Sequence, residues 1–212
     1  MDILSGIKTR RSIREFAKHD IDDKILFKIL DAANYAPAAG SLYNWRFIIV
    51  KNPEDKILLS EASYDQEFVS QAPVIIVVCS DSIALKREFG KNGEIYAIQN
   101  ATAAIQNMML AAHEFNIASC LCGIDKEKAI RISLKIPEHI DICGLVLLGY
   151  SKRPAKMPSK ANLSAITFFD TWDNKIKKSS PLFPLMSAFE SAVEKIKRKT
   201  LSKRRTRAKI KS

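Results

Sequence analysis

The sequence predicts a chain of helices and interior strands, α/β or α+β, with one sheet held between helical layers. Three observations carry this. The runs 47–50, 73–79 and 143–150 are continuous and apolar, and 73–79 is rich in β-branched residues, so they read as buried, interior strands. Residues 21–35 put Ile21, Ile25, Leu26, Ile29, Leu30 and Ala33 on one face at a 3.6-residue period. The segment 94–115 spreads Ile95, Ile98, Ala101, Thr102, Ile105, Met108, Met109 and Ala112 over a wide surface, which predicts a long, central, mostly buried helix.

The other elements follow in order. Residues 2–9 predict a short helix that leads into a cationic cluster. Asp20, Asp22 and Asp23 stand at the positive end of the helix over 21–35, and Pro37 stops that helix ahead of a loop containing Gly40. Asn52-Pro53 bounds the first strand, and 54–71 predicts a helix. Residues 117–123 predict a strand, after which Asp125 is placed to cap a helix running to about Leu134. The stretch 151–162 is a basic loop with prolines. Leu185, Phe189, Ala192, Val193 and Ile196 predict a last amphipathic helix. The expected organisation is one domain over 1–183, then a helix and basic tail over 184–212.

Composition narrows the function. Apolar residues make up 47% of the 212, an ordinary globular balance that excludes disorder over the whole length. Ten cations and no acid lie in 195–212, and they account for all but +1 of the net charge of +11. The body is therefore near neutral, which argues against a nucleic-acid-reading domain. The tail itself has the chemistry to attract nucleic acid or anionic lipid, or simply to remain solvated. The seven glycines build neither G-x-G-x-x-G nor G-x-x-x-x-G-K-[ST]. Cys79, Cys120, Cys122 and Cys143 lack the spacing of a zinc site or a disulfide framework, so they are expected as small core residues in a reducing compartment. Neither a leader-like N-terminus nor an apolar run of membrane length is seen, so a cytoplasmic protein is expected.

Two segments carry chemistry. Arg10-Arg11-Ser12-Ile13-Arg14 gathers three guanidiniums and a hydroxyl in five residues, and arginine forks bind phosphate bidentately. A solvated basic turn has the same composition. The loop Pro37-Ala38-Ala39-Gly40-Ser41 is built of small residues that let a ligand or another chain come close.

The order of these pieces resembles the nitroreductase family of FMN-dependent oxidoreductases. R-R-S-I-R-E-F at 10–16 resembles the family's R-R-S-x-R-x-F/Y, and A-P-A-A-G-S-L-Y-N-W-R-F at 36–47 its A-P-S-A-G-N-L-Q-P-W-x-F. D-Q-E-F-V at 65–69 with Ala72-Pro73, Q-N-M-M-L-A-A-H at 106–113, S-C-L-C-G at 119–123, I-P-E at 136–138 and L-L-G-Y at 147–150 continue it in register. The similarity spans about residues 4–165.

The resemblance implies an α+β fold, with a central mixed sheet flanked by helices in an intertwined homodimer. It implies FMN at the dimer interface. Arg10, Arg11, Ser12 and Arg14 would hold the FMN phosphate and ribityl chain. Pro37, Ala38, Ala39, Gly40 and Ser41 would come from the partner subunit to face the flavin. Asp65 stands where the family often has a flavin-contacting Asn. The backbone around Cys122 and Gly123 would approach flavin N5, and Lys160 matches a late basic residue that reaches the phosphate. The activity implied is ping-pong hydride transfer from NADH or NADPH to a small acceptor: a nitroaromatic, a quinone or an enone. No side chain is nominated as catalytic. Dehalogenating or flavin-fragmenting chemistry, or an interaction protein acting through its tail, are the alternatives. The chain departs from the family pattern at Ala38, Ser41, Tyr43 and Asn44, and Asp65 for Asn would bring a carboxylate toward the ring.

Overall fold

A computed structural model describes residues 2–175. The tail 195–212, the predicted helix over 185–196 and the boundary at 183 lie outside the described residues. The chain divides into two compact units, the first ending at Met157 and the second beginning at Pro158.

The first unit runs α1 (Ile3–Thr9), α2 (Asp23–Asn34), β1 (Trp45–Val50), α3 (Pro53–Ala62), β2 (Val74–Asp81), α4 (Ile83–Phe89), α5 (Gly93–Glu114), β3 (Ala118–Cys122), α6 (Glu127–Ser133) and β4 (Ile140–Gly149). The strands pair in the order β1-β2-β4-β3. All three pairings are antiparallel. The expected parallel component is confined to one bridge, Ser12 to Ser119. The apolar runs that suggested interior strands record burial on both faces, which does not fix strand direction.

That burial makes two cores. Alternate residues of β2 and β4 (Val74, Ile76, Val78, Val146 and Leu148) face α2 and α5. Their neighbours Ile75, Val77, Cys79, Leu145 and Leu147 face the other way, into Phe16, Leu59, Val69 and Ile130. The sheet is thus a partition between two apolar layers, as the strand period of two requires.

Local chemistry sets the ends of the elements. Asp22 caps α2, its carboxylate accepting from the Lys24 N–H at 2.7 Å, and Pro53 opens α3 with Asn52 as its cap. Three expectations change. The helix over 54–71 stops at Ala62, because Tyr64 and Asp65 take left-handed backbone conformations. Asp125 does not cap α6: Lys126 holds that position, and the Asp125 N–H is given to the Ala62 carbonyl at 2.8 Å. On α5 the buried stripe is Ala97, Asn100, Ala101, Ala104, Ile105, Met108, Met109 and Ala112, while Ile95, Ile98 and Thr102 are exposed. Helix α4 was not anticipated. Seven residues with Leu85 as their one buried anchor give no periodic signal.

Helix α5 begins at Gly93 because nothing larger fits there. A Cβ would stand 2.5 Å from the Leu85 carbonyl carbon and oxygen and the Lys86 nitrogen, all of them backbone. Gly93→Ala is therefore expected to cost at least about 2 kcal/mol through overpacking that no rotamer relieves. An unchanged urea midpoint would contradict this.

Candidate functional site

Three segments of the first unit meet at the end of β3. Behind α1 the chain runs extended past that strand: Ser12 bridges Ser119, and the Ile13 N–H donates to the Ser119 carbonyl at 3.0 Å. The Arg14 guanidinium lies over the Phe68 ring, 5.6 Å from its centre. From the third segment, Lys126 Nζ donates to Asp65 Oδ2 at 3.3 Å, and the Asp125 and Lys126 N–H groups both donate to the Ala62 carbonyl. Gly123 follows the last ladder residue of β3, and a Cβ there would lie 3.9 Å from the Tyr64 ring. The fold thus lays Ser12 against the first half of β3 and sets Gly123 with the Tyr64–Asp65 turn beyond its far end, and Arg14 over Phe68 links the two groups.

Among the described residues, the buried side-chain polar atoms without a partner are Arg10 Nη1, Ser63 Oγ and Ser119 Oγ. All three belong to these segments. A buried donor left unpaired costs on the order of 1–3 kcal/mol, more when charged. A desolvated guanidinium nitrogen with nothing to donate to has the chemistry to pair with an anion. Arg11 is differently occupied: its Nη1 donates to the carbonyls of Lys8 and Arg10 at 2.7 Å each, closing the end of α1. Asp65 is exposed and paired with Lys126, so its charge reaches the site already partly neutralised.

The loop 37–41 is held elsewhere. The Ala39 N–H donates to Asn100 Oδ1 at 3.0 Å. Asn100 Nδ2 donates in turn to Asn44 Oδ1 at 2.9 Å and to the Leu42 carbonyl at 3.3 Å. Asn44 Nδ2 donates to Ser80 Oγ at 2.7 Å and to the Ala97 carbonyl at 3.0 Å. Gly40 and Ser41 follow with left-handed backbones, and a Cβ at Gly40 would meet the Phe89 ring at 3.0 Å. Among the described residues no hydrogen bond, ion pair or ring contact joins 37–41 to the three converging segments. Within one chain the loop 37–41 and the arginine cluster are thus separate places. Lys160 lies in the second unit and is exposed.

The amide network is the part that sequence reasoning missed. Its signal was present: Asn100 is a polar residue inside the buried stripe of α5, one residue before Ala101 and three after Ala97. Asn44, taken only as a departure from a family proline, is 4% exposed and works as the hub.

The cysteines divide into two pairs by environment. Burial pushes the Cys79 thiol up to about 11 and the Cys143 thiol up to about 12, as inert core residues require. In the second pair the Cys122 thiol donates to Cys120 Sγ across 4.0 Å. That hydrogen bond, helped by the Arg14 and Arg10 charges and opposed by burial, holds Cys120 below the ordinary thiol range; the same bond and burial push Cys122 above it, with Arg14 opposing.

His113 ends α5 against the arginines, its Nε2 2.9 Å from Thr9 Oγ1. Burial lowers its pKa, the Arg10 and Arg11 charges lower it further, and Glu114 opposes them. The unfolded chain therefore takes up this proton more readily. The stabilising contribution is complete above the ordinary value of 6.5 and is lost as pH falls below it. The His113 ring signals should titrate below 6.5 in the native protein, and Arg10→Gln should raise that midpoint. A midpoint that ignores the substitution would show that the arginine charge does not reach the ring.

The chain is similar to known proteins over most of its length. The sequence model described as the nitroreductase family matches residues 7–67 and 58–150. A Methanothermobacter thermautotrophicus protein named "Putative NADH dehydrogenase/NAD(P)H nitroreductase" is 36% identical over 167 residues, covering 77% of this chain and 83% of that one. A Thermus thermophilus protein named NADH dehydrogenase is 32% identical over 179 residues, covering 71% and 87%. The solved structure of an FMN-dependent nitroreductase from Clostridium difficile R20291 superposes with a TM-score of 0.70 at 28% identity, covering 80% of this chain and all of that one.

Proposed function

Since the chain belongs to the nitroreductase family, we propose that it is an FMN-dependent oxidoreductase that takes electrons from NADH or NADPH and passes them to a small acceptor. The observation that carries the reading is the unpaired, buried Arg10 Nη1 among the converging segments. It fits the phosphate of FMN, the one dianionic part of that cofactor. Arg10, Arg14 and Ser12 bind the phosphate and ribityl chain, with Arg11 holding the turn that presents them. The turn at Cys122 and Gly123, where the ladder ends, gives the ring system room beside the backbone.

When bound, FMN supplies hydride chemistry that no side chain here can carry, so no catalytic acid, base or nucleophile is assigned. The chain binds and orients it. Asp65, charge-paired with Lys126, sets the electrostatics at one edge. NADH or NADPH and then a nitroaromatic, quinone or enone would enter the same site in turn, which is ping-pong turnover.

The separation of 37–41 from the arginines supports a homodimer in which each chain completes the other's site. Exposed large apolar residues support it further: Ile3, Leu4 and Ile7 on α1, Ile95 and Ile98 on α5, and Tyr35 beside the loop. Tyr43, exposed and edge-on to Trp45 at 5.5 Å, belongs to the same surface. No helix among the described residues is long and apolar enough to cross a membrane. Four free cysteines support a cytoplasmic location.

Purified protein should show flavin absorption that bleaches when NADH or NADPH is added without oxygen. Protein that neither carries nor takes up FMN would sink the proposal. Arg10→Met should weaken FMN binding about 10- to 100-fold, the worth of a charged hydrogen bond. The same variant should not lower the urea midpoint of FMN-free protein, because Nη1 has no protein partner to lose. Unchanged FMN affinity would move the phosphate elsewhere.

A further inference from the structure

We propose that His113 is a positioning residue for the anion site: its ring holds the last turn of α1 and so fixes where Arg10 points. The inference rests on the flavin reading and goes beyond it, since nothing above gives His113 a part in binding.

The hold is a relay of two hydrogen bonds. Thr9 Oγ1 spends its hydrogen on the Ser5 carbonyl, 2.7 Å away and one turn back. Toward the ring, 2.9 Å away, that oxygen can therefore only accept. His113 Nε2 carries the N–H, which sets the tautomer of the neutral ring. The Arg10 N–H closes the same turn on the Gly6 carbonyl at 3.0 Å. Helix α1 needs such a tie. Gly6 is its one buried residue, so within a chain no large side chain anchors it. His113 is half-buried near the end of α5, a helix whose buried stripe belongs to the core. A firmly packed helix thus reaches a weakly anchored one, a single residue before the arginine whose Nη1 is buried and unpaired.

The charges around the ring make the hold responsive to what Arg10 binds. Arg10 and Arg11 face the ring from the end of α1, whose last turn also carries Lys8, and Glu114 faces it from its own helix. Lys28 of α2 is turned to the Phe115 ring instead, 5.8 Å from its centre. Burial and the two arginines oppose an imidazolium at His113, and Glu114 favours one. A phosphate paired with Arg10 shifts that balance, because its negative charge offsets the guanidinium. Protonation adds a hydrogen at Nδ1 and keeps the one on Nε2, so the relay to Thr9 survives it. Anion binding and proton uptake at His113 therefore favour each other, and by the same factor.

The test titrates FMN into FMN-free protein and follows flavin fluorescence, with riboflavin, which lacks the phosphate, as the control. Near pH 8, His113→Leu should weaken FMN binding about three- to tenfold, the worth of one neutral hydrogen bond, and leave riboflavin binding unchanged. His113→Gln should bring FMN affinity back to within about twofold of wild type, because its amide N–H can donate to Thr9 in the same sense. Thr9→Val reaches the same bond from the other side, so the test stands even where His113→Leu folds poorly. It should match His113→Leu, and the double variant should be no weaker than either single one. As pH falls from about 8 to about 5.5, across the ordinary histidine value, the ratio of wild-type FMN affinity to that of His113→Gln should rise. That ratio cancels the ionisation of the FMN phosphate itself. Equal FMN affinity in wild type, His113→Leu and Thr9→Val would overturn the proposal. So would a loss shared by riboflavin, a failure of glutamine to rescue, or a ratio that stays flat with pH. Wild-type protein that binds no FMN would sink the flavin reading and this proposal with it, whereas FMN bound equally by every variant sinks the proposal alone.

Discussion

Strand β2 has almost no surface turned to water, and the rest of the first unit is arranged to keep it so. Six of its residues, Val74 to Cys79, are 2% exposed or less. A strand apolar on both faces is stable only between two layers, and each layer must bring its own apolar stripe. Helices α2 and α5 supply one. Helices α3 and α6, with Phe16, supply the other. Covering the second face draws the N-terminal segment past the end of the sheet, and that path lays the arginines beside β3. The position of the candidate site is thus a by-product of covering the sheet.

What could be read from the residues follows the same logic. Strands β1, β2 and β4 and helices α2 and α5 were legible because burial writes a period or an unbroken apolar run into the chain. Helix α4 was not, since Leu85 alone is buried on it. The end of α3 was hidden because Tyr64 and Asp65 take left-handed conformations without the glycine that usually announces them. Antiparallel order leaves no mark in a strand buried on both sides. The arginine cluster was legible as a group of anion-seeking side chains. That Arg11 serves its own helix while Arg10 stays unpaired depends on contacts that only the folded chain makes. The network of Asn44, Asn100 and Ser80 joins residues up to 56 apart, so the polar Asn100 in the buried stripe of α5 hinted at a partner without saying which.

The loop 37–41 and the arginine cluster are built in opposite ways. Around Asn100 each amide donor and acceptor named above has a partner, and the loop is held with a defined shape before anything binds. Around Arg10 a donor is buried and left open. The first arrangement gives rigidity; the second keeps affinity in reserve, at some expense of the empty protein's stability. A cofactor that fills the second therefore acts on folding as well as on chemistry, because it binds the native state alone.

The segment from Ser12 to Phe16 has one more consequence. It touches β3 through the Ser12 bridge and the chain beyond β4 through the pairing of Phe16 with Ser151, so it closes that end of the sheet like a strap. An uncovered outer strand is a template for another chain's strand, and β3 carries Cys120, Leu121 and Cys122 at that margin. Arg14 stands on that strap, so a charge marks the margin where a second strand would otherwise pair.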